Sequence, residues 1–224
     1  MKRTRLIGLV IGVVVVAAGL VGLGYVLAGG SDTPSVAAPA PAPAPAAAAP
    51  GAGGQELRAL LDKGRVETYH AKYKASATDP AAAGQDLTLE LWQRGTDRRQ
   101  DLVINADGKK AHSAGFLLPT GAIACTSQAD APWACKNVAG QSTEPMLDQL
   151  AGQFAGQAGT ARDDTIIGHK VRCFSVPVST TTGEICLTDR GVPARVLAGP
   201  SRFELTDLTT DITDDTFRPP AQPV

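Results

Sequence analysis

The residues best suited to chemistry are four cysteines, Cys125, Cys135, Cys173 and Cys186. An even number of cysteines in an oxidising compartment indicates disulfides, and four cysteines allow three pairings. We favour Cys125–Cys135 and Cys173–Cys186 because each pair brackets a predicted hairpin loop. Zinc ligands usually lie about two to four residues apart, and thiol oxidoreductases usually carry Cys-x-x-Cys. Neither spacing occurs here, so structural disulfides are the prediction.

Three histidines are the next candidates for acid–base or metal chemistry. His70, His112 and His169 are isolated from one another, and each lies within strand-like sequence. We interpret each of them as a solvent-facing histidine or as one that is hydrogen-bonded within the fold. No Gly-x-Ser-x-Gly elbow, His-Glu-x-x-His motif or phosphate-binding loop is present. The sequence therefore predicts a protein that is not an enzyme and that uses no cofactor or metal.

The acidic residues near the end of the chain could bind Ca²⁺ in principle. Their spacing is not that of an EF-hand loop, so a solvated acidic terminus is the preferred interpretation. They are Asp207, Asp211, Asp214 and Asp215.

The compartment in which these residues work is indicated by the apolar segment from Leu6 to Ala28. It contains 23 residues and no charge, and about 20 such residues cross a bilayer as a helix. The basic residues Lys2, Arg3 and Arg5 precede it and favour a cytoplasmic N-terminus. The segment is longer than the apolar core of a signal peptide, which has about 7–15 residues. We predict a retained single-pass anchor in the cell membrane with the C-terminal part outside the cytoplasm, and cleavage after Ala28 is the alternative.

The chain divides into five parts on this basis. A cytoplasmic tip (1–5) precedes the anchor (6–28), a Pro/Ala-rich linker (29–54), an extracytoplasmic β-rich domain (55–220) and a short tail (221–224). The linker alternates Pro and Ala from Pro39 to Pro45, which is typical of an extended polyproline II spacer; a Pro-rich docking motif is the alternative. The net charge of −1 gives no basic face for nucleic acid.

Alternation of apolar and polar residues predicts an antiparallel meander in the first half of the domain. In Val66–Ala77, for example, Tyr69, Ala71 and Tyr73 point one way, whereas His70 and Lys72 point the other. Helices are predicted at Gln55–Lys63 and Thr143–Gln157 from their apolar spacing. The other predicted strands are Gln85–Arg94, Arg98–Asn105, Lys109–Leu118, Val171–Val178, Glu184–Thr188, Val192–Leu197 and Arg202–Leu208.

Several short stretches of the domain carry a family resemblance. They are Tyr73-Lys74-Ala75-Ser76, the run from Leu89 to Gly95, Arg98-Arg99-Gln100-Asp101, the run from Gly191 to Arg195, and the run from Asp214 to Pro220. Together they resemble the extracytoplasmic lipoprotein-carrier superfamily, which includes the LolA/LolB carriers and the LppX/LprG-type lipid-binding lipoproteins. The chain departs from that pattern at Gly30, which stands where a lipidated cysteine would be expected.

The resemblance implies an α+β fold, namely a curved antiparallel β-sheet (a half-barrel) with helices covering its concave face. It also implies a cavity for acyl chains between sheet and helices. The expected function is binding of a lipid or other hydrophobic ligand in lipid or lipoprotein transport or presentation. A non-catalytic structural or protein-interaction module of the cell envelope, with an envelope protein as partner, is the alternative. The candidate cavity-lining residues are Leu89, Leu91, Ile104, Leu117, Met146, Leu150 and Phe154.

Overall fold

The structure is a computed structural model that describes residues 52–77, 86–106, 108–129, 131–138, 149, 152–178, 181–199 and 201–224. All of these residues belong to one compact unit, Ala47–Val224. The predicted anchor and most of the predicted linker lie outside the described residues. In the part of the chain that is described, no helix is both long and apolar enough to cross a membrane.

The described residues form one helix, α1 (Ala52–Gly64), and a single large sheet. Helix α1 begins at Ala52 rather than at the expected Gln55. A 3-10 turn covers Asp214–Phe217. The strands are β1 Tyr69–Ala77, β2 Asp86–Arg94, β3 Asp97–Ala106, β4 Lys109–Leu118, β5 Gly121–Gln128, β6 Ala134–Val138, β7 Ala161–Ile166, β8 His169–Val178, β9 Thr181–Thr188, β10 Pro193–Ala198 and β11 Ser201–Thr209.

The sheet joins two antiparallel meanders side by side. Its strand order is β6-β5-β4-β3-β2-β1-β11-β10-β9-β8-β7, so that β1 and β11 pair at the junction. This curved antiparallel architecture agrees with the expected fold class. Strand β7 was not predicted, because its sequence Ala-Arg-Asp-Asp-Thr-Ile places three charged residues in succession and shows no alternation. An edge strand tolerates such a sequence, since charges on an edge hinder pairing with another chain.

Alternation along β1 defines the two faces of the sheet. Tyr69, Ala71 and Tyr73 are buried on what we call the inner face, whereas His70 and Lys72 lie on the outer face and are partly exposed. This arrangement confirms the alternation predicted for the strand. Directly paired residues of an antiparallel sheet share a face, so the strand register assigns every other strand residue to one face or the other.

Helix α1 covers the inner face at one end of the sheet. Its Leu57 and Leu61 are buried in a core cluster with residues of β8 and β9 and with the short segment before β7. The cluster also contains Ala155, Ala158, Phe174, Val176, Ile185 and Leu187, with Phe154 packed against it. The predicted helix Thr143–Gln157 lies mostly outside the described residues, and Gln149 and residues 152–154 are helical.

The end of α1 is fixed to the sheet by a close backbone contact and by buried hydrogen bonds. A Cβ placed on Gly64 would lie 2.2 Å from the carbonyl oxygen of Gly191, so only glycine fits at that point. The Gln93 side chain donates to the carbonyl oxygens of Gly64 (2.7 Å) and Glu67 (3.0 Å). The path of the chain from α1 into β1 is therefore set by β2 and by the β9–β10 turn.

The outer face of β3–β6 is covered by the end of the chain, residues 210–224, which we call the C-terminal segment. Arg94 bonds Asp214 at 2.8 Å, and Arg99 donates to the carbonyl oxygen of Thr216 at 2.8 Å. At β6, the Val224 N–H donates to the Cys135 carbonyl at 3.2 Å and the Asn137 N–H donates to the Val224 carbonyl at 3.3 Å. Residues 221–224, predicted to be a tail, are therefore attached to the sheet. Beneath the segment lies a second cluster of Ala114, Phe116, Cys125 and Cys135, against which Ala221 packs.

The two predicted disulfide pairings are those of the structure. Cys125 bonds Cys135 across β5 and β6, and Cys173 bonds Cys186 across β8 and β9. In each case the two residues are directly opposite in the strand register and are buried on the outer face.

Loss of either disulfide is expected to destabilise the domain substantially. The Cys173→Ser/Cys186→Ser and Cys125→Ser/Cys135→Ser double variants should each lose about 3 kcal/mol of unfolding free energy, because each bridge restricts the unfolded chain. Denaturant unfolding of the oxidised parent and the two variants measures this loss. Unchanged midpoints would show that the bridges contribute nothing to stability.

Candidate functional site

Small side chains line most of the inner face of β4–β6, in contrast to the large side chains beneath α1. Gln100 of β3 lies across from Gly115 of β4, which in turn lies across from Ala124 of β5. A Cβ added to Gly115 would meet no described atom within 4 Å, so there is open space above it. We call this surface the inner trough. Its small residues are Ala111, Ser113, Gly115, Ala122, Ala124, Thr126 and Ala134, and Lys136 and Val138 of β6 lie on the same face.

A cavity of about 370 Å³ lies on the inner face, where the α1–β1 connection passes the β2–β3 turn. The connection contributes a side chain that is unusual for its exposure, since Val66 is an apolar residue with 76% of its surface exposed. Leu117 lies beside the trough at the end of β4 and so joins the cavity to it. The cavity is lined by Arg65, Val66, Gly95, Thr96, Arg98 and Leu117.

Arg98 is a cavity residue with a buried polar atom that has no hydrogen-bond partner. It lies between Gln93 of β2 and Leu117 of β4 in the strand register. Its Nε is buried without a hydrogen-bond partner, and so is Oε1 of Gln93. No carboxylate of the described residues pairs with Arg98, whereas Arg65 lies 3.6 Å from Asp62. The cavity therefore combines apolar walls with a positive charge that lacks a counter-ion among the described residues.

Four of the seven predicted lining residues lie on the inner face of the sheet. Leu89 and Leu91 are fully buried on β2, Ile104 is buried on β3, and Leu117 lines the cavity itself. Phe154 packs instead against the cluster beneath α1. Met146 and Leu150 lie outside the described residues. Leu89, Leu91 and Ile104 lie on the strands beside the trough, and of the seven only Leu117 lines the cavity.

Sequence reasoning missed Arg98, Val66 and the trough. Arg98 could have been found from the alternation of β3. Its position places this charged residue on the same face as the apolar residues Leu102 and Ile104. Val66 was assigned to a strand, but β1 begins at Tyr69 and Val66 belongs to the connection before it. The trough could have been inferred from the small residues at alternate positions of β4 and β5 once their register was known.

The histidines of the outer face have acidic and aromatic partners. His70 Nε2 lies 2.9 Å from Glu90 Oε2, and its ring stacks on Trp92 at 4.6 Å. His112 Nε2 lies 3.3 Å from Asp101 Oδ2, and its ring meets Trp133 edge-on. His169 is exposed at the β7–β8 turn. Each of the first two histidines is thus held in a structural contact between neighbouring strands.

A balanced ionic cluster covers the outer face of β7–β11. Arg195 contacts Asp164 (3.2 Å), Glu184 (3.3 Å) and Glu204 (3.1 Å). Burial raises the pKa of Glu204, and hydrogen bonds from Arg202 and Arg195 outweigh this, so its pKa lies below the usual value. The pKa of Asp164 is also lowered, first by the Thr165 N–H and then by Arg162. Because these pKa values are lower in the folded state, the stability that both carboxylates contribute is lost as the pH falls through them.

Metal ligation is not suggested by the acidic residues that the structure describes near the end of the chain. Asp207 pairs with Lys72, Asp214 with Arg94 and Asp215 with Arg218, so they do not converge on one point. The one group of described residues with metal-ligand spacing is Cys173, Glu184 and Cys186, whose two sulfurs are joined in a disulfide.

Among solved structures, the chain is similar to MucB with a TM-score of 0.47 and 17% identity, over 75% of this chain and 62% of MucB. The chain therefore spans less than two thirds of the length of MucB. MucB in complex with MucA(peri) matches with a TM-score of 0.44. LprF from Mycobacterium bovis matches with a TM-score of 0.45 and 11% identity, over 78% of this chain and 100% of LprF.

These matches have TM-scores below 0.5 and low identity, so they carry no argument about the ligand or activity of this chain. No protein-family model and no curated protein matches the chain.

Proposed function

We propose that this domain binds a hydrophobic or amphiphilic ligand along the inner trough and in the adjoining cavity, in a binding rather than a catalytic role. The observation that carries this proposal is the contrast within one face of the sheet. Beneath α1 the inner face is filled by large apolar side chains, whereas on β4 and β5 it is lined mostly by small residues that leave space. Ligand sites are concave, mostly apolar surfaces with a few polar groups, and the trough with Arg98 has this composition.

The N-terminal part of the chain gives this function its setting. We propose that the segment 6–28 anchors the protein in the cell membrane and that the linker holds the domain outside the cytoplasm. The two buried disulfides support an oxidising compartment. A tethered domain that binds a hydrophobic ligand on its inner face is suited to holding or presenting a lipid near the membrane surface.

Filling the trough is expected to abolish binding without unfolding the domain. Gly115→Phe places a ring in the open space above β4, and we expect affinity for an environment-sensitive hydrophobic dye to fall at least about tenfold, because the ring occupies the volume that the dye needs. Ser76→Phe, on the exposed outer face of β1, is the matched control and should leave affinity unchanged. Fluorescence titration of the secreted domain measures both. Equal affinity of the parent and Gly115→Phe would refute binding in the trough.

A second candidate function is protein interaction at the edge of β6. The two hydrogen bonds between Val224 and β6 have the parallel ladder pattern, so this edge already accepts an extended segment. Strand addition to a sheet edge is a common mode of peptide recognition, and here a partner strand would replace Val224 at β6. The two functions differ in their dependence on lipid, because a partner held at β6 should co-purify in stoichiometric amounts whether or not the trough is filled.

A further inference from the structure

We propose that the ligand is a single-chain anionic amphiphile and that Arg98 selects its negatively charged head group. This inference rests on the proposed binding function and names the class of ligand. The cavity beside Arg98 would receive the head group, and the chain would extend along the inner trough. Arg98 is joined to the trough through Leu117, its direct cross-strand neighbour.

The lining of the cavity is positively charged. Two of its six lining residues, Arg65 and Arg98, are cationic and none is acidic. Arg65 lies near Asp62 at the end of α1, which leaves Arg98 as the cation without an acidic partner among the described residues. Gln93, across from Arg98, supplies only a neutral oxygen. A partly buried guanidinium without a counter-ion is costly, so an anion that enters the cavity would gain a charge-assisted contact.

Each of the other arginines in the described strands has a carboxylate partner. Arg99 is paired with Asp101, Arg195 with three carboxylates, and Arg202 with Glu204. All three lie on the outer face, where their charges are compensated within the fold. Arg98 alone among these four points to the inner face, beside Leu117 and the small residues of β4. Its charge is therefore placed where an apolar chain and an anionic head group would meet.

The cavity is small for a ligand site. At about 370 Å³ it is at the small end of the range for ligand sites, which is about 300–1,000 Å³. A volume of this size suits one head group, and the trough that adjoins it would take one chain outside the cavity. Exposed Val66 forms one wall, so the mouth of the cavity is apolar and offers a path for the chain.

The test compares two photoreactive, alkyne-tagged probes of equal length, tetradecanoic acid and tetradecanol, added to membranes that contain the full chain. Cross-linked peptides are identified by mass spectrometry, and unlabelled tetradecanoate competes for the site. We expect the acid to label peptides that contain Val66 or Leu117 at least about tenfold more than the alcohol does, since a hydrogen bond to a charged group is worth at least about that factor.

Variants of Arg98 locate the source of this preference. Arg98→Gln should remove the preference for the acid and leave labelling by the alcohol unchanged, whereas Arg98→Lys should retain most of it. Arg202→Gln removes an exposed guanidinium from the outer face and is expected to change neither probe. Melting temperatures of all variants establish that they fold. If Arg98→Gln does not fold, the ratio of labelling by the acid to labelling by the alcohol in the parent chain decides whether the ligand is anionic.

The failure of this inference is distinguishable from failure of the proposed function. The acid and the alcohol could label the inner-face peptides equally, with no effect of Arg98→Gln. That result would overturn the inference of an anionic head group and leave the proposal of hydrophobic binding intact. Labelling of no inner-face peptide by either probe would overturn both.

Discussion

Gly191→Ala is expected to lower the free energy of unfolding by about 3 kcal/mol or more. Gly191 has a φ of +82°, a conformation that L-residues with a side chain rarely adopt, and an added Cβ would lie 2.0 Å from the Leu60 carbonyl oxygen and 2.5 Å from the Gly64 nitrogen. Both contacts are with the backbone at the end of α1, so no rotamer change can relieve them. The substitution should push α1 away from the β9–β10 turn and disturb the core beneath the helix.

Gly168→Ala is the matched control, because Gly168 has nearly the same φ (+83°) and an added Cβ there would meet nothing within 4 Å. Gly168→Ala should lower the free energy of unfolding only by the cost of holding alanine at a positive φ, about 1 kcal/mol. Denaturant unfolding of both variants separates the conformational cost from the packing cost. Losses of equal size would show that the close approach of Gly64 and Gly191 does not position α1.

Arg99→Leu should have an effect of similar size on the outer face. Arg99 bonds both oxygens of Asp101, at 2.8 and 2.6 Å, and Asp101 is only 5% exposed. Removing one partner of a buried ion pair leaves a charge uncompensated, which costs about 3–5 kcal/mol. His112, 3.3 Å from Asp101, remains as a weaker partner, so we expect a loss of about 3 kcal/mol. The guanidinium also stacks on Trp92 and Phe116, and that contact is lost as well.

Arg202→Leu is the control for that variant. Arg202 makes the same type of contact with Glu204, two residues further along its own strand, but 48% of its side chain is exposed. Exposed pairs contribute about 0–1 kcal/mol, so its loss should stay below about 1 kcal/mol. Thermal and denaturant unfolding of both variants measures the difference. A larger loss for Arg202→Leu than for Arg99→Leu would contradict the conclusion that the buried Arg99–Asp101 pair stabilises the fold more than the exposed Arg202–Glu204 pair.

Local patterns predicted the parts of the fold that depend on local physics. The alternation of Tyr69, Ala71 and Tyr73 with His70 and Lys72 assigned β1 to its two faces correctly. Hairpin turns brought the cysteines of each predicted pair directly opposite one another. Such features are set by neighbours in sequence, so a pattern of period two and a short loop are sufficient to infer them.

Features that depend on distant parts of the chain could not be inferred in this way. The C-terminal segment packs on β3–β6, strands that lie far earlier in the sequence, and it buries Phe116 on the face that is exposed in β1. Apolar positions therefore change faces along one sheet, which no single pattern of alternation describes. The role of Arg98 also depends on a distant part of the chain, because the cavity beside it forms only where Val66, after α1, passes the β2–β3 turn.

The central claim, binding of a hydrophobic ligand on the inner face, is tested most directly by native mass spectrometry. Residues 47–224 would be secreted into an oxidising compartment and purified gently, alongside the Gly115→Phe variant. We predict a mass in excess of the oxidised chain for the parent, extractable into organic solvent and carrying an acidic head group, and its loss in the variant. A bare chain mass for the parent would contradict the account and favour interaction at the β6 edge, and an adduct retained in Gly115→Phe would contradict the trough as its site.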